Sequence, residues 1–240
     1  MHQAKRAIIM AAGLGDRMRP VTDAVPKPLV AVRGQRMIDT IIRALHQGGI
    51  QEIYVVVGYR KDQFASLPEQ YPGLTLIENP DYRTANNISS LYYARAHLED
   101  CVILDGDQII RDPAILCPVF QRSCYCCIWT EEPTREWLLT EENGIVTSCS
   151  TTGGSRGWEL HSVSFWSAED GQRLRKHLEL EYRDRGNRDI YWDNVALSCH
   201  SGDYALGIRP IERDALVEID SFQELCQADP SYNGYCAPTD

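Results

Sequence analysis

The strongest constraint on the fold is an alternation of short apolar runs and amphipathic segments in the first 105 residues. CVILD (101–105) has the length of a strand, whereas RMIDTIIRALHQGG (36–49) carries apolar residues at helical spacing and stops at two glycines. Strands and helices in this rhythm form a mostly parallel sheet with helices on both faces. Asn86 and Asn87 stand where a helix N-cap is expected. We therefore predict strands at 6–10, 53–59, 74–79 and 101–105, and helices at 36–49, 61–67 and 86–98.

The second half of the chain has a different pattern, in which several strand-like segments precede the helices. An Asn143–Gly144 pair inside the run 137–150 favours a hairpin turn. Since no repeat or low-complexity linker interrupts the chain, we predict one domain, 1–240, composed of 1–112, 113–229 and a loose tail, 230–240. Further strands are predicted at 124–130, 161–167 and 206–211, helices at 168–185 and 191–199, and a final ordered segment at 217–228.

Composition excludes several classes of function. A net charge of −10 argues against binding to nucleic acid, whose phosphates select basic surfaces. No apolar run approaches the roughly 18 residues of a membrane span, and no signal-peptide pattern opens the chain, so we expect a cytoplasmic protein without membrane insertion. Among the nine cysteines, Cys124 and Cys127 form a CxxC on a strand-like run. Side chains three apart on a strand point to opposite faces, which favours buried small hydrophobes over metal ligands.

The segment MAAGLGDRMRPVTDAVPKPL (10–29) has the character of a phosphate-binding loop but fits neither of the two best-known fingerprints. A dinucleotide-binding loop needs a third glycine where Met18 stands, which disfavours an NAD-linked dehydrogenase. A Walker-type loop needs Ser or Thr after its lysine, and Lys27 is followed by Pro28.

Glycine and cationic residues in this segment nevertheless suit a triphosphate. Gly13 and Gly15 allow close approach of the backbone to a ligand, and Arg17 and Lys27 add positive charge. The alternative is that the glycines only make a tight turn and that the cations are solvated.

The whole segment resembles the signature of nucleotidyltransferases similar to the sugar-phosphate nucleotidyltransferases. The matching residues are Gly13, Gly15, Arg17, Pro20, Thr22, Pro26, Lys27, Pro28 and Leu29. The later stretches TREWLLTEENG, SVSFWSAEDG, DIYWDN and VEIDSFQEL resemble, in the same order, segments of bacterial CTP:phosphocholine cytidylyltransferases. The resemblance covers about residues 5–228 and implies an α/β fold of the nucleotide-diphospho-sugar transferase type. That fold is a Rossmann-like, mostly parallel mixed sheet flanked by helices, with a small extra β/α portion that binds the acceptor.

The resemblance also implies a reaction, in which an acceptor phosphate attacks the α-phosphorus of CTP in line and releases pyrophosphate. A phosphomonoester is largely dianionic at neutral pH, so the reaction needs charge neutralisation more than a His or Cys base. Mg²⁺ is the implied cofactor, with Asp107 and Asp193 as its ligands and with Lys27 and Arg17 as further catalytic residues. The half 1–112 would bind the nucleotide through Ala11, Ala12, Gly13, Leu14, Gly15, Asp16, Arg17, Lys27, Asn86, Asn87, Ser90 and Asp105, the last of which we expect to orient the loop.

The acceptor is expected to carry an ammonium group. All five tryptophans fall between residues 129 and 192, several with acidic or tyrosine neighbours, and aromatic faces flanked by carboxylates suit such a cation. Trp129 and Trp158 are expected in the core instead. Carried over from the resemblance, the acceptor-binding residues in 113–229 are Trp137, Trp166, Tyr191, Asp193 and Glu218.

Phosphocholine is the expected acceptor. A primary ammonium donates hydrogen bonds and therefore needs acceptors such as carboxylates. Because both carboxylates and aromatic residues are present, 2-aminoethylphosphonate and phosphoethanolamine are alternatives. A sugar-1-phosphate nucleotidyltransferase and a catalytically inactive regulatory module on the same fold are the remaining alternatives.

Overall fold

The computed structural model describes residues 1–235 and is organised around a mixed sheet of nine strands. The strands are β1 (Arg6–Ala11), β2 (Glu52–Val57), β3 (Leu74–Glu78), β4 (Cys101–Asp105), β5 (Cys124–Thr130), β6 (Leu138–Glu142), β7 (Ile145–Ser150), β8 (Gly157–Trp166) and β9 (Gly207–Pro210). Their order is β7-β6-β8-β4-β1-β2-β3, and β5 also pairs with β8 and carries β9. Strands β1 to β4 are mutually parallel, and β8 joins β4 antiparallel, which gives the mostly parallel mixed sheet that the sequence predicts.

Helices flank the sheet at α1 (Met37–Gln47), α2 (Leu67–Gln70), α3 (Ile88–Ala94), α4 (Ala168–Leu178) and α5 (Phe222–Ala228). A π-helical segment, Glu179–Asp184, extends α4, and a second one covers Val195–Cys199. Within residues 1–235, no helix is both long enough and apolar enough to cross a membrane.

Several predicted elements differ from the structure in extent; the expected helix at 191–199, for example, is the shorter π-helical segment Val195–Cys199. The expected helix at 61–67 is a 3-10 turn, Lys61–Phe64, followed by α2, because Pro68 is accommodated only in the first turn of a helix. The expected tail at 230–240 is in part ordered: Pro230–Tyr232 forms a 3-10 turn, and the Tyr232 hydroxyl donates to the Ala31 carbonyl at 2.7 Å. Residues 236–240 lie outside the described part of the chain. The hairpin is confirmed, with positive φ at both Asn143 and Gly144.

Apolar side chains fill both faces of the sheet. Neighbouring residues of a strand point to opposite faces, so Ile9 packs in the core under α1 whereas Ile8 packs in the core under α3 and α4. Cys124 and Cys127 divide between the same two cores, which confirms the prediction that they are buried on opposite faces.

The expectation that Trp129 lies in the core is wrong. Its side chain is 42% exposed and packs edge-to-face, at 5.2 Å, on its cross-strand partner Trp158. The guanidinium carbon of Arg156 lies over the Trp129 ring, 5.5 Å from its centroid. The pair is therefore a half-exposed surface cluster, in which Trp158 alone reaches the core.

A third, smaller core anchors the glycine-containing segment that follows β1. Met18 and Val21 pack there against Ile219 and Leu225, which come from the last described part of the chain. A short antiparallel ribbon between Gln108–Ile110 and Leu216–Glu218 brings that part beside the end of β4. The C-terminal segment thus returns to the edge of the sheet where β1 and β4 end. Two further ribbons pair His2–Gln3 with Val119–Phe120 and Ala31–Val32 with Gln35–Arg36.

Candidate active site

The segment after β1 folds back tightly on itself through three 3-10 turns, Asp16–Met18, Val21–Asp23 and Lys27–Leu29. Gly15 has φ +69°, and a Cβ atom there would lie 3.0 Å from the Thr22 side chain and 3.2 Å from the Lys27 Cβ. Thr22 in turn donates its hydroxyl to the Gly15 carbonyl at 2.9 Å. Glycine is therefore required at this position for both conformation and space.

Lys27 lies between two carboxylates. Its Nζ atom is 2.6 Å from Asp107 Oδ2 and 2.8 Å from Asp220 Oδ1, and the side chain is almost buried, at 8% exposed for the residue. Burial opposes the charge, but the two carboxylates outweigh it and raise the pKa of Lys27. Arg17, although exposed, also reaches Asp220 Oδ1 at 2.9 Å. Lys27 is thus held as an ammonium at the centre of the site.

Asp107, Glu218 and Asp220 form a carboxylate cluster whose ligand oxygens lie within 4.8 Å of one another. Asp107 follows β4, and the ribbon described above carries Glu218 beside it, because Glu218 pairs with Gln108. Burial, reinforced by the charges of Asp107 and Asp220, raises the pKa of Glu218. The Asp107 Oδ1 atom is buried without a hydrogen-bond partner. Oxygen ligands of this kind are those that Mg²⁺ prefers, so the residues of this cluster fit a divalent cation.

Asp193 lies in the same cavity as Asp107, Glu218 and Asp220 but is not a member of the close carboxylate cluster. Burial raises its pKa to about 7, and the nearby Tyr125 hydroxyl offsets only part of this increase. Neither Asp193 Oδ1 nor the Tyr125 hydroxyl makes a hydrogen bond of normal geometry. Burial and the charge of Asp107 also raise the pKa of Asp105. The structure thus groups Asp107 with Glu218 and Asp220, whereas Asp193 lines the wall of the cavity beside them.

A second group of possible metal ligands, His177, His200 and Asp203, lies in and after α4 and its extension. Its two imidazole rings are stacked at 3.8 Å and 9°. Since the nitrogen lone pairs of parallel rings point side by side, they do not converge on one ion. This group is therefore a poorer cation site than the carboxylate cluster.

A cavity of about 350 Å³, here the loop cavity, opens beside Lys27. Most of the predicted nucleotide-binding residues line it together, namely Ala11, Ala12, Gly13, Gly15, Asp16, Arg17, Lys27, Asn86, Asn87, Ser90 and Asp105. Leu14 lines an adjoining hollow that shares Gly13, Asn86 and Tyr191. The backbone of the segment and its cations thus surround one concave space.

A second cavity of about 310 Å³, here the aromatic cavity, shares Arg17, Asn87, Asp105, Asp107 and Asp220 with the loop cavity. Its walls include Trp137, Tyr191, Asp193 and Glu218, all predicted from the sequence. The Trp137 and Tyr191 rings meet edge-to-face at 5.6 Å and 83°. The carboxylate cluster lies where the two cavities join.

Trp166 does not line either cavity. It is 1% exposed, packs edge-to-face on Trp192 in the core, and donates its indole N–H to Ser164 Oγ at 2.9 Å. A tryptophan with both its ring and its N–H satisfied inside the core has no surface left for a ligand. The structure thus separates Trp166 from the other residues of the predicted acceptor pocket.

Sequence reasoning missed two residues of the site, Glu136 and Asp220. Glu136 precedes Trp137, and burial followed by the charge of Asp220 raises its pKa. Asp220 stands two residues after Glu218 in VEIDSF, separated from the strand-like LVE only by Ile219. That adjacency was the available signal, since a carboxylate just beyond a strand end is a frequent ligand position.

Together these features suit the transfer of a phosphate-bearing group between two anionic molecules. Backbone N–H groups and fixed cations in the loop cavity can neutralise phosphates, and the carboxylate cluster can hold a divalent cation at the junction. An acidic, aromatic hollow beside the junction can hold the cationic end of a second substrate.

Comparison with known proteins agrees with this chemistry. The family model of the MobA-like NTP transferase domain matches residues 7–192. The chain is similar to a 2-aminoethylphosphonate cytidylyltransferase of Lancefieldella rimae, with 40% identity over 94% of this chain and 92% of that protein. It is also similar to the choline-phosphate cytidylyltransferase of Streptococcus pneumoniae, with 32% identity over 91% of this chain and 94% of that protein.

Solved structures give the same result for the fold. The structure of the CTP:phosphocholine cytidylyltransferase from Streptococcus pneumoniae superposes with a TM-score of 0.87 and 32% identity over 95% of this chain and 99% of that chain. An inositol-1-phosphate CTP transferase from T. maritima, at 16% identity, shares the fold with a TM-score of 0.71 over 98% of each chain. The predicted fold type and the resemblance to nucleotidyltransferases are confirmed. The chain belongs to the nucleotidyltransferases that contain a MobA-like NTP transferase domain.

Proposed function

We propose that the protein is a Mg²⁺-dependent cytidylyltransferase that couples CTP to 2-aminoethylphosphonate and releases pyrophosphate. An oxygen of the phosphonate attacks the α-phosphorus of CTP, the bond from that phosphorus to the β-bridging oxygen breaks, and pyrophosphate leaves. Support comes from the relative that carries this name, which is 40% identical over nearly the full length of both chains.

The phosphate end of the site supplies charge neutralisation. Lys27 and Arg17 offer cations to a triphosphate in the loop cavity, and Gly13 leaves space for its close approach. Asp107 and Asp220, with Glu218, would hold Mg²⁺, which supplies further positive charge to the phosphate oxygens. Positioning two anions in line against their repulsion is the main catalytic task, so no protein nucleophile is required.

The choice of acceptor depends on one observation, the unpaired Oδ1 atom of Asp193. This atom is buried and belongs to the wall of the aromatic cavity. The Tyr125 hydroxyl lies beside this carboxyl but makes no hydrogen bond of normal geometry to it, and a primary ammonium can supply an N–H instead. Trimethylammonium has no N–H, so phosphocholine would leave the oxygen unpaired.

Phosphocholine is the second candidate, because of the rings in the same cavity. Trp137 and Tyr191 stand at 83° to each other and offer two aromatic surfaces to a quaternary cation. The pneumococcal neighbour named for phosphocholine matches the whole fold at 32% identity.

A panel of acceptors tests the proposal. Purified protein with CTP and Mg²⁺ is assayed for pyrophosphate release with 2-aminoethylphosphonate, phosphoethanolamine and phosphocholine, and then with ATP, GTP or UTP in place of CTP. We expect kcat/KM for 2-aminoethylphosphonate to exceed that for phosphocholine by about tenfold or more, the value of one lost hydrogen bond to a charged group. The reverse order would assign the protein to phosphocholine, and no release with any acceptor would support an inactive module.

Two tryptophan variants check that the aromatic cavity holds the acceptor. Trp137→Leu should raise the KM for the acceptor roughly 2- to 30-fold, as expected for one cation–π contact, with little change in the KM for CTP. Trp129→Leu is the matched control, because Trp129 is half exposed and belongs to the surface pair on Trp158. Equal effects of both variants would contradict the assignment of the cavity.

A further inference from the structure

We infer that Asn87 positions the acceptor wall of the site by tethering the backbone between Tyr191 and Asp193. The inference rests on the proposed function, in that this wall is taken to bind the acceptor. Asn87 lines both the loop cavity and the aromatic cavity, so its amide group stands at their junction.

Helix α3 begins in an unusual way. Asn87 is its N-cap residue, yet the Asn87 side chain makes no capping hydrogen bond. An asparagine at an N-cap ordinarily accepts from an N–H of the first helical turn. Here Asn87 Oδ1 instead accepts from the backbone N–H of Trp192 at 2.9 Å, across 105 residues of sequence. The stabilisation of a helix cap is thus replaced by a long-range tether.

Asn86 fixes the same segment from the neighbouring position. Its backbone N–H donates to the Arg188 carbonyl at 2.7 Å, and its Nδ2 donates to the Asp189 carbonyl at 3.1 Å. Its Oδ1 accepts from the Asn87 N–H at 2.7 Å, which orients the two side chains relative to each other. Residues 188–192 are therefore held by the start of α3 through one strip of hydrogen bonds.

The tethered segment carries two side chains of the aromatic cavity. Tyr191 is 49% exposed and faces Trp137, whereas Asp193 is buried with its unpaired Oδ1. Trp192, between them, packs in the core against Tyr125. Since the bond to Asn87 is made at the Trp192 backbone, loss of that bond removes a constraint on both neighbours at once. Asn87 thus acts on the acceptor through the segment and is a positioning residue.

Two variants of Asn87 distinguish this positioning role from direct contact of Asn87 with the nucleotide base. Asn87→Asp keeps an oxygen that can accept from the Trp192 N–H and removes the NH₂ donor, whereas Asn87→Ala removes both. We expect Asn87→Ala to raise the KM for the acceptor about five- to tenfold, with the KM for CTP changed less than about twofold. Asn87→Asp should keep the acceptor KM within about threefold of wild type. Asn233→Ala, at an exposed position, is the matched control.

Hydrogen exchange supplies a readout that does not depend on turnover. In the ligand-free protein, the amides of residues 188–194 should exchange about tenfold faster or more in Asn87→Ala than in wild type, and near the wild-type rate in Asn87→Asp. Unchanged exchange in Asn87→Ala would overturn the tether. A raised KM for CTP with an unchanged acceptor KM would assign Asn87 to the base instead. If wild type uses no acceptor, the proposed function fails, and the exchange result still decides whether the tether exists.

Discussion

The two ends of the site differ in how the protein pairs their charged groups. At the phosphate end, Lys27 has two carboxylate partners within 2.8 Å, and Arg17 shares one of them. At the acceptor end, Asp193 keeps an unpaired buried oxygen, and Tyr191 is half exposed. The cations of the first end are paired by the protein alone, and its unpaired oxygen, Asp107 Oδ1, belongs to the carboxylate cluster that would hold a metal ion. The unpaired oxygen of the second end belongs to the wall that would bind the acceptor. Preorganised charge favours catalysis, and unsatisfied groups favour selection of a substrate.

The largest effect should come from the preorganised end. Lys27→Ala removes the only cation with two short bonds to the site aspartates among residues 1–235, so we expect kcat to fall by roughly 10²- to 10³-fold. Pyrophosphate release under saturating substrates measures this. Lys61→Ala, which breaks a surface ion pair with Glu78, is the control and should have nearly wild-type activity. Near wild-type kinetics in Lys27→Ala would remove the distinction between the two ends.

A smaller effect, on the Mg²⁺ concentration that activity requires, should show which carboxylates bind the cation. If the carboxylate cluster holds Mg²⁺, Asp220→Asn should raise the Mg²⁺ concentration for half-maximal activity at least about tenfold. Asp203→Asn, at an exposed aspartate remote from the cluster, should leave it unchanged. A large Mg²⁺ effect in Asp193→Asn with none in Asp220→Asn would instead support the ligand pair expected from the sequence, Asp107 and Asp193.

The smallest effect is the pH dependence that Asp193, at the acceptor end, should give to the free energy of unfolding. Burial raises the pKa of Asp193 from its usual value near 3.8 to about 7, so the folded state binds the proton more tightly than the unfolded state. Between those values, a rise in pH therefore lowers the free energy of unfolding, by at most about 1.4 kcal/mol per pH unit from this group. Below about pH 4 the contribution is fully present, and above about pH 7 it is lost.

Urea unfolding of the ligand-free protein at pH 5, 6 and 7 tests this. Asp193→Asn should lose stability less steeply over that range than wild type does. Asp184→Asn is a suitable control, since Asp184 is a surface aspartate whose pKa is lowered by Arg183. Parallel curves for wild type and Asp193→Asn would show that Asp193 is solvated in the folded state, and the acceptor end would then lack its unsatisfied carboxylate.

Most of the sheet could be predicted from the sequence, because strands such as β4 and helices such as α1 have strong local patterns. The phosphate end could be predicted for the same reason, since Gly13 to Lys27 are contiguous in sequence. Asp220 could not, because its neighbourhood depends on pairing between residues 110 apart, at Gln108 and Glu218. Neither Trp129 nor Trp166 lies where it is expected from the sequence, since Trp129 is half exposed on the surface and Trp166 is in the core. The composition of a strand does not reveal where the helices that cover it end.

The short ribbon between Gln108–Ile110 and Leu216–Glu218 has a consequence for how chains of this family are recognised. The family match ends at residue 192, well before Glu218 and Asp220. A homologous chain that stopped there would still match, with its glycine segment, Lys27 and Asp107 intact, yet it would lack two of the three clustered carboxylates. Membership in the family and possession of a complete cation site are therefore separate properties. The residues at positions 216–220 show whether a given family member has the complete carboxylate cluster.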